Sequence, residues 1–376
     1  HVCFLHPAMH LCFLLHSLKC YGNVYSLFIG PRAAVVINGA QAMKEAMITK
    51  AADFAGRPQD IFNFNCHLWL LLSKRMVLAD YGASWKEHRR FALMTLRNFG
   101  LGKQSMEQRI LGEMQYTMET LKRSIGKHSV VMFHNAASNI ICQVLFGTRY
   151  DYDDNFIKVV VQCFKENSKI ANGAWAMVSH NMFVSEFIKL ATCLITEHKE
   201  TRVPGQPRDF LDCYLDELDK VDDCSSFCED RLIMFVLDLH FPGTDTTSNT
   251  LLTGFLYLMT YPHIHGRCQQ EINQVLEKKD HASYDDRRNM PYTQAVIHEV
   301  QRIANTVPLS VYHCTTKDTK LMGYFLPKGE FAKPDAFMPF SAGPRVGLAP
   351  MALFLIMVTL LRRFKFIWPE DAEQPD

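Results

Sequence analysis

Residues 226–261, SFCEDRLIMFVLDLHFPGTDTTSNTLLTGFLYLMTY, decide how the chain folds. Leu232, Ile233, Met234, Phe235, Val236 and Leu237, then Leu251, Leu252, Phe255, Leu256 and Leu258, stand on nearly every side of a helix. No face is reserved for water, so the spacing predicts one long buried helix. Ser226 with Glu229 three positions on has the spacing of a capping box at its start, and Pro262 disfavours helix at Tyr261. The middle breaks the pattern: Pro242, Gly243, Thr244, Asp245, Thr246, Thr247, Ser248 and Asn249 put poor helix formers and a carboxylate where burial is deepest. Thr and Ser hydroxyls can bond the carbonyl four residues earlier and bend a helix, and Pro242 removes one ladder bond, so a local groove is expected. A Thr-Thr-Ser run by itself is better explained as a bent core helix with satisfied hydroxyls.

At 376 residues and 48% hydrophobic, the chain can bury a large core. No Gly/Ser/Pro tract, internal repeat or low-complexity block divides it, so a single domain over residues 1–376 is expected. A formal net charge of +1 with mixed signs excludes nucleic acid as the natural partner and favours small apolar molecules. The twelve cysteines are scattered without Cys-x-x-Cys spacing, which reads as reduced thiols. Cys224 and Cys228 lie a helical turn apart, but no His or second Cys pair joins them and no metal site is assigned.

Three further stretches carry chemistry. Ser84-Trp85-Lys86-Glu87-His88-Arg89-Arg90-Phe91 places Trp85 and Arg89 at i and i+4 on a helix that Ser84 can cap. Taken alone, this is a surface Arg on an aromatic ring. Glu299 and Arg302 stand at i and i+3, which alone is an ordinary surface ion pair. Phe340-Ser341-Ala342-Gly343-Pro344-Arg345-Val346 is a Gly/Pro-containing loop.

Together these stretches resemble the cytochromes P-450, the haem-thiolate monooxygenases, and specifically the vertebrate microsomal family 2 type. Gly243-Thr244-Asp245-Thr246-Thr247 is similar to the family's oxygen groove, where the pair at Asp245 and Thr246 would relay protons. The family usually has Ala or Gly where this chain has Pro242. By the same resemblance Trp85, Arg89 and Arg345 would hold haem propionates, with Phe340 opening the haem loop. Glu299 and Arg302 would brace the proximal side together with a third basic residue. Tyr21 to Pro58, with Phe54-Ala55-Gly56-Arg57-Pro58, resembles the family's small sheet and adjoining helix. The expected fold is therefore mainly α with a small β-sheet, an incomplete cytochrome P-450 fold.

Coarse reading of the rest predicts strands at 24–30 and 33–39, helix at 40–50, and mostly helix from 104 to about 201. Phe164, Met177, Met182, Phe183 and Phe187 fall in the part that roofs the substrate cavity in the family, although a Met or Phe stripe is more often plain core. A helix at 265–278, another around 292–302, a hairpin at 317–329 and a last helix at 351–366 follow, with Val307-Pro308-Leu309-Ser310 lining the pocket by resemblance.

The text departs from the family in several places. The first twenty residues lack an initiator Met, and their longest apolar run, Leu11 to Leu15, is far short of a membrane span, so the chain is expected to be truncated and without the anchor helix. At Glu330-Phe331 the family's next helix and the loop supplying the third basic residue are skipped, and the family's final strands are missing after Asp376. In the haem loop the ligand cysteine should follow Val346, yet Gly347 follows. Every cysteine lies at or before Cys314, so no thiolate is expected at the haem iron.

The resemblance implies insertion of one oxygen atom of O2 into small lipophilic substrates such as xenobiotics, fatty acids or steroids. Haem is the cofactor, and electrons come from NADPH through a partner reductase, at the cytosolic face of the endoplasmic reticulum membrane. Two other readings stand beside a working enzyme: a catalytically inactive, haem-poor partial or misspliced member, and a haem-free binder of apolar ligands or of the reductase, for which the basic residues Lys86, Arg90 and Arg97 speak.

Overall fold

The computed structural model describes residues 19–29, 32–58, 75–100, 104–123, 131–171, 180–220, 226–304, 306, 312–329, 331–334 and 350–368. The chain divides into two compact units, residues 1–87 with 307–348, and residues 88–306 with 349–376.

The first unit holds the sheet. Strands β1 (Val24–Ile29) and β2 (Arg32–Ile37) form an antiparallel hairpin with Val24 opposite Ile37. Gly39, with φ at 77°, turns the chain into α1 (Ala40–Lys44). The expected helix at 40–50 then widens to a π-helical turn over Glu45–Thr49, closed by Lys50 N–H donating to the Glu45 carbonyl at 2.8 Å. Strand β3 (His313–Cys314) follows, then a separate hairpin of β4 (Thr319–Leu321) and β5 (Tyr324–Leu326), then β6 (Phe331–Pro334). The two-residue turn uses Met322 and Gly323 at φ 49° and 89°, the left-handed pair that matches strand twist; glycine adopts it freely and methionine does not. Sheet order is β1-β2-β6-β3, with β6 parallel to β2 and antiparallel to β3.

One apolar core joins this unit: Val35 and Ile37 from β2, Ala42, Met43, Ala46 and Met47 from the helix, with Phe54, Leu321 and Leu326. Buried Arg57 is tied in by Nε donating to the Val77 carbonyl at 3.0 Å. On either side of Glu330 the chain is pinned. Gly329 N–H donates to the Thr315 carbonyl at 2.9 Å, and Phe331 pairs with Ala34 and Cys314.

Helix α2 (Ala83–Asn98) starts in the first unit and continues in the second. The second unit is helical: α3 (Gln104–Arg123), α4 (Val131–Leu145), α5 (Asn155–Ala171), α6 (His180–Thr201), α7 (Phe210–Leu218), α8 (Glu229–Thr260), α9 (Pro262–Val275), α10 (Pro291–Ala304) and α11 (Pro350–Arg363). Helix α8 is the predicted long helix, and at about 1.5 Å per residue it runs roughly 48 Å. It passes through Pro242 without ending and stops where Pro262 opens α9.

Its start corrects the sequence reading. Cys228 is the N-cap, with no side-chain cap bond. The Ser226 hydroxyl instead meets His88 Nδ1 at 3.3 Å, beside Phe227, whose ring stacks on His88 at 4.3 Å. A buried aromatic cluster has outcompeted the cap.

Helix α8 packs along α4, α6, α10 and α11. At Gly243 an added Cβ would lie 2.8 Å from Ile141 Cδ1, so α8 approaches α4 closely enough that any larger residue would have to displace the Ile141 side chain. Phe255 stacks on Phe133 of α4 at 5.3 Å. Helix α11 is apolar on nearly all sides and buried from Leu353 to Met357 and beyond, and Arg362 at its end donates to the Leu276 carbonyl at 2.9 Å. Among the described residues no helix is long and apolar enough to cross a membrane. Among the described residues Cys142, Cys193, Cys213, Cys228 and Cys268 are free thiols, in keeping with their scatter.

Candidate functional site around the middle of helix α8

The polar run of α8 satisfies itself along the helix. Thr246 donates to the Pro242 carbonyl at 2.6 Å, Ser248 to Thr244 at 2.7 Å and Thr250 to Thr246 at 2.7 Å. These back-bonds satisfy the hydroxyls within the helix itself. The Thr244 hydroxyl is the exception, buried without a hydrogen-bond partner among the described residues.

Asp245 is half-buried at 18% exposure and faces α4, with Oδ1 3.6 Å from His134 Nε2. One turn further along α4, Ser138 Oγ lies 2.7 Å from His240 Nε2, both side chains fully out of solvent. Burial pulls the His240 imidazole down to about 3, so it is neutral at ordinary pH. Phe187 of α6 meets the His240 ring edge-on at 5.8 Å. His134, Ser138 and His240 were not read from the sequence, although His134 and Ser138 stand at i and i+4 on a helical stretch and His240 precedes Thr244 by one turn. Phe187 is the one member of the expected roof whose side chain is described; Phe164, Met177, Met182 and Phe183 lie outside.

Trp85 and Arg89 stand one turn apart on α2. The Trp85 indole N–H donates to the Met76 carbonyl at 3.1 Å, so the chain itself engages the donor that the resemblance assigns to a propionate. Arg89 is half-buried, and that burial lowers its pKa from the usual arginine value. Phe340 and Arg345 lie outside the described residues, so the meeting of Arg345 with Trp85 and Arg89 is not placed. On α10, Arg302 forks onto Glu299, Nε to Oε2 at 2.7 Å and NH2 to Oε1 at 2.6 Å. The pair holds Glu299 below and Arg302 above their usual values, and it is solvent-exposed at 53% and 59%.

The sequence profile of cytochrome P450 matches residues 6–332 and again 330–376. Cytochrome P450 2F2 of Mus musculus is 35% identical over 416 residues, covering 94% of this chain and 84% of the relative. Cytochrome P450 2G1 of Rattus norvegicus is 37% identical over 406 residues, covering 92% and 81%. A zebrafish cytochrome P450 structure, described as solved with progesterone, superposes with a TM-score of 0.86 at 27% identity over 98% of this chain and 94% of that one. The chain belongs to the cytochrome P450 family, and its mainly helical fold with small sheets is that family's fold. It resembles a haem-dependent monooxygenase acting on small lipophilic substrates. The profile match falls into two pieces that meet at residues 330–332, where the sequence reading put a jump. An alignment of 416 residues is also longer than the chain's 376, so the relative has residues with no counterpart here.

Haem is the cofactor of this family, and the proximal thiolate is what drives its O–O cleavage. The donor set of this chain does not fit a thiolate-held haem. No Cys, His or Tyr occurs between Phe340 and Pro350, and Met351 on α11 offers only a neutral thioether. Thiols described elsewhere are driven away from the thiolate form, buried Cys163 and Cys268 and half-buried Cys213 each pushed up to about 11 chiefly by desolvation.

Proposed function

We propose that this chain carries the monooxygenase framework of the microsomal cytochromes P450 without, as written, the means to run their thiolate-driven chemistry. The carrying observation is that Val346-Gly347 stands where the family's ligand cysteine belongs, with no other cysteine after Cys314. Asp245 and Thr246 are read as the inherited oxygen-groove pair, Trp85, Arg89, Phe340 and Arg345 as the inherited haem-binding set, and Glu299 and Arg302 as the proximal brace. Both compact units are read as parts of one family domain, since the profile match runs through both. The ligand class is a small lipophile, and the progesterone of the zebrafish structure belongs to that class.

The reading extends to a reductase partner. Lys86, Arg90 and Arg97 are exposed along one face of α2, with Met94 among them at 51% exposure. A basic stripe around an apolar centre suits an acidic electron-transfer protein at the cytosolic face of the endoplasmic reticulum.

The test is the spectrum of the reduced, purified chain with carbon monoxide. The expected result is low haem content and no thiolate-type Soret shift; a full shift at stoichiometric haem overturns the reading. Inserting Cys-Leu-Gly-Glu after Val346 should restore the shift. If it does not, the jump at Glu330-Phe331 is disabling by itself.

A further inference from the structure

The junction between α6 and α7 buries a histidine among acceptors. His198, in the last turn of α6, has Nδ1 2.8 Å from the Leu194 carbonyl and Nε2 3.0 Å from Asp209 Oδ2. Both neighbours can only accept hydrogen bonds, and a neutral imidazole has one N–H to give. One of the two contacts must therefore face lone pair against lone pair unless the ring carries both protons. Asp209 cannot turn away, because it is the N-cap of α7 and its Oδ1 accepts the Asp212 N–H at 3.0 Å. Gly147 closes the other side, where an added Cβ would lie 3.3 Å from Asp209 Oδ2.

Three buried ligand-type groups meet here, His198, Asp209 and Asp212, a grouping of the kind that can hold a metal ion. Arg208 settles the alternative. Its Nε donates to Asp212 Oδ2 at 2.6 Å and its NH2 to Oδ1 at 3.0 Å, so a guanidinium already fills the place of a cation.

We propose that His198 is a proton-held latch: with both ring nitrogens protonated it ties the end of α6 to the first turn of α7, and loss of one proton releases that junction. The charged groups around it are known from each side. Asp209 is the N-cap of α7 and Asp212 lies in its first turn, Arg202 and Arg208 come from the connection, and Glu197 and Lys199 from α6 itself. Glu229 of α8 pairs with Lys199, and Asp216 and Asp219 with Arg202. Burial alone would lower the His198 value, but the hydrogen bond and charge of Asp209 and the Leu194 carbonyl raise it above the usual one. The sign follows. Stabilisation by the latch is fully present below the unfolded histidine value and is lost as pH rises through the folded one. Because α6 also carries Phe187 against His240, release at this end loosens the α6 side of the site whether or not haem is held.

Amide hydrogen exchange across residues 194–212 of the full chain, corrected for intrinsic rates, tests this. Between the ordinary histidine value and the folded His198 midpoint, opening of the junction should rise by up to about tenfold per pH unit and level off above that midpoint. His198→Gln should make it flat. Asp209→Asn keeps the cap oxygen and should move the onset to lower pH, which serves if the first variant fails to fold. NMR titration of His198 in the unaltered chain decides independently. A folded-state midpoint at or below the ordinary histidine value, or exchange at the junction with no pH dependence, overturns the proposal.

Discussion

The Ser138 hydroxyl and His240 Nε2 lie 2.7 Å apart, although 102 residues separate them in the chain. This contact ties α4 to α8 just below the polar run, and burial of the ring keeps the imidazole neutral. The folded value is depressed to about 3, so the associated stability is present above the unfolded histidine value and is lost as pH falls toward the folded one. Between those limits the unfolded chain binds one more proton, a slope of about 1.4 kcal/mol per pH unit. Replacing His240 by Asn should remove that share of the slope in urea-unfolding free energies taken from neutral to mildly acid pH.

Close approach of α8 to α4 predicts a contrast between two glycines. Gly243→Ala would set a Cβ against Ile141, whose side chain must shift, so the roughly 1 kcal/mol that Ala usually gains over Gly inside a helix should be offset. Gly112→Ala, on α3 with nothing within 4 Å, should stabilise by about 0.5–1 kcal/mol. Denaturant midpoints of both variants check the pair, and equal effects would contradict the packing described.

Glu113 is a buried carboxylate that accepts from Arg149 Nε at 2.9 Å and from the Tyr152 hydroxyl at 2.7 Å. Glu113→Ala leaves both donors without their acceptor and should cost about 3 kcal/mol. Glu113→Gln retains part of the network and should cost less, as read by thermal unfolding.

For Glu299 and Arg302 the expectation is the opposite. The fork is exposed on both sides, so replacing both residues by Ala should leave the thermal midpoint unchanged within error. A fall of several degrees would mean that residues outside those described brace the pair.

Much of this was legible from local rules. The apolar surround of 232–258 dictated a buried helix, Pro262 its end, and the turn chemistry of 317–329 a hairpin. Four short motifs pointed to the family before any geometry. What stayed hidden depended on partners distant in sequence. Ser226 looks like a helix cap until His88 is placed beside it, and His134 looks like a solvated helix residue until Asp245 faces it. The π-helical turn at 45–49 has no periodic signature that separates it from α-helix, and the Ser138 to His240 contact is set by how two helices pack.

Glu330 stands between two fixed points, Gly329 on the Thr315 carbonyl and Phe331 in the sheet. A segment restored at this place would have to leave and return within one residue's reach, an excursion that closes on itself. Closing such a loop of about thirty residues costs on the order of 3 kcal/mol, growing only with the logarithm of its length. Neither β5 nor β6 would need to change register. With both flanking residues anchored, Glu330-Phe331 is a natural graft point for testing what an inserted segment would supply.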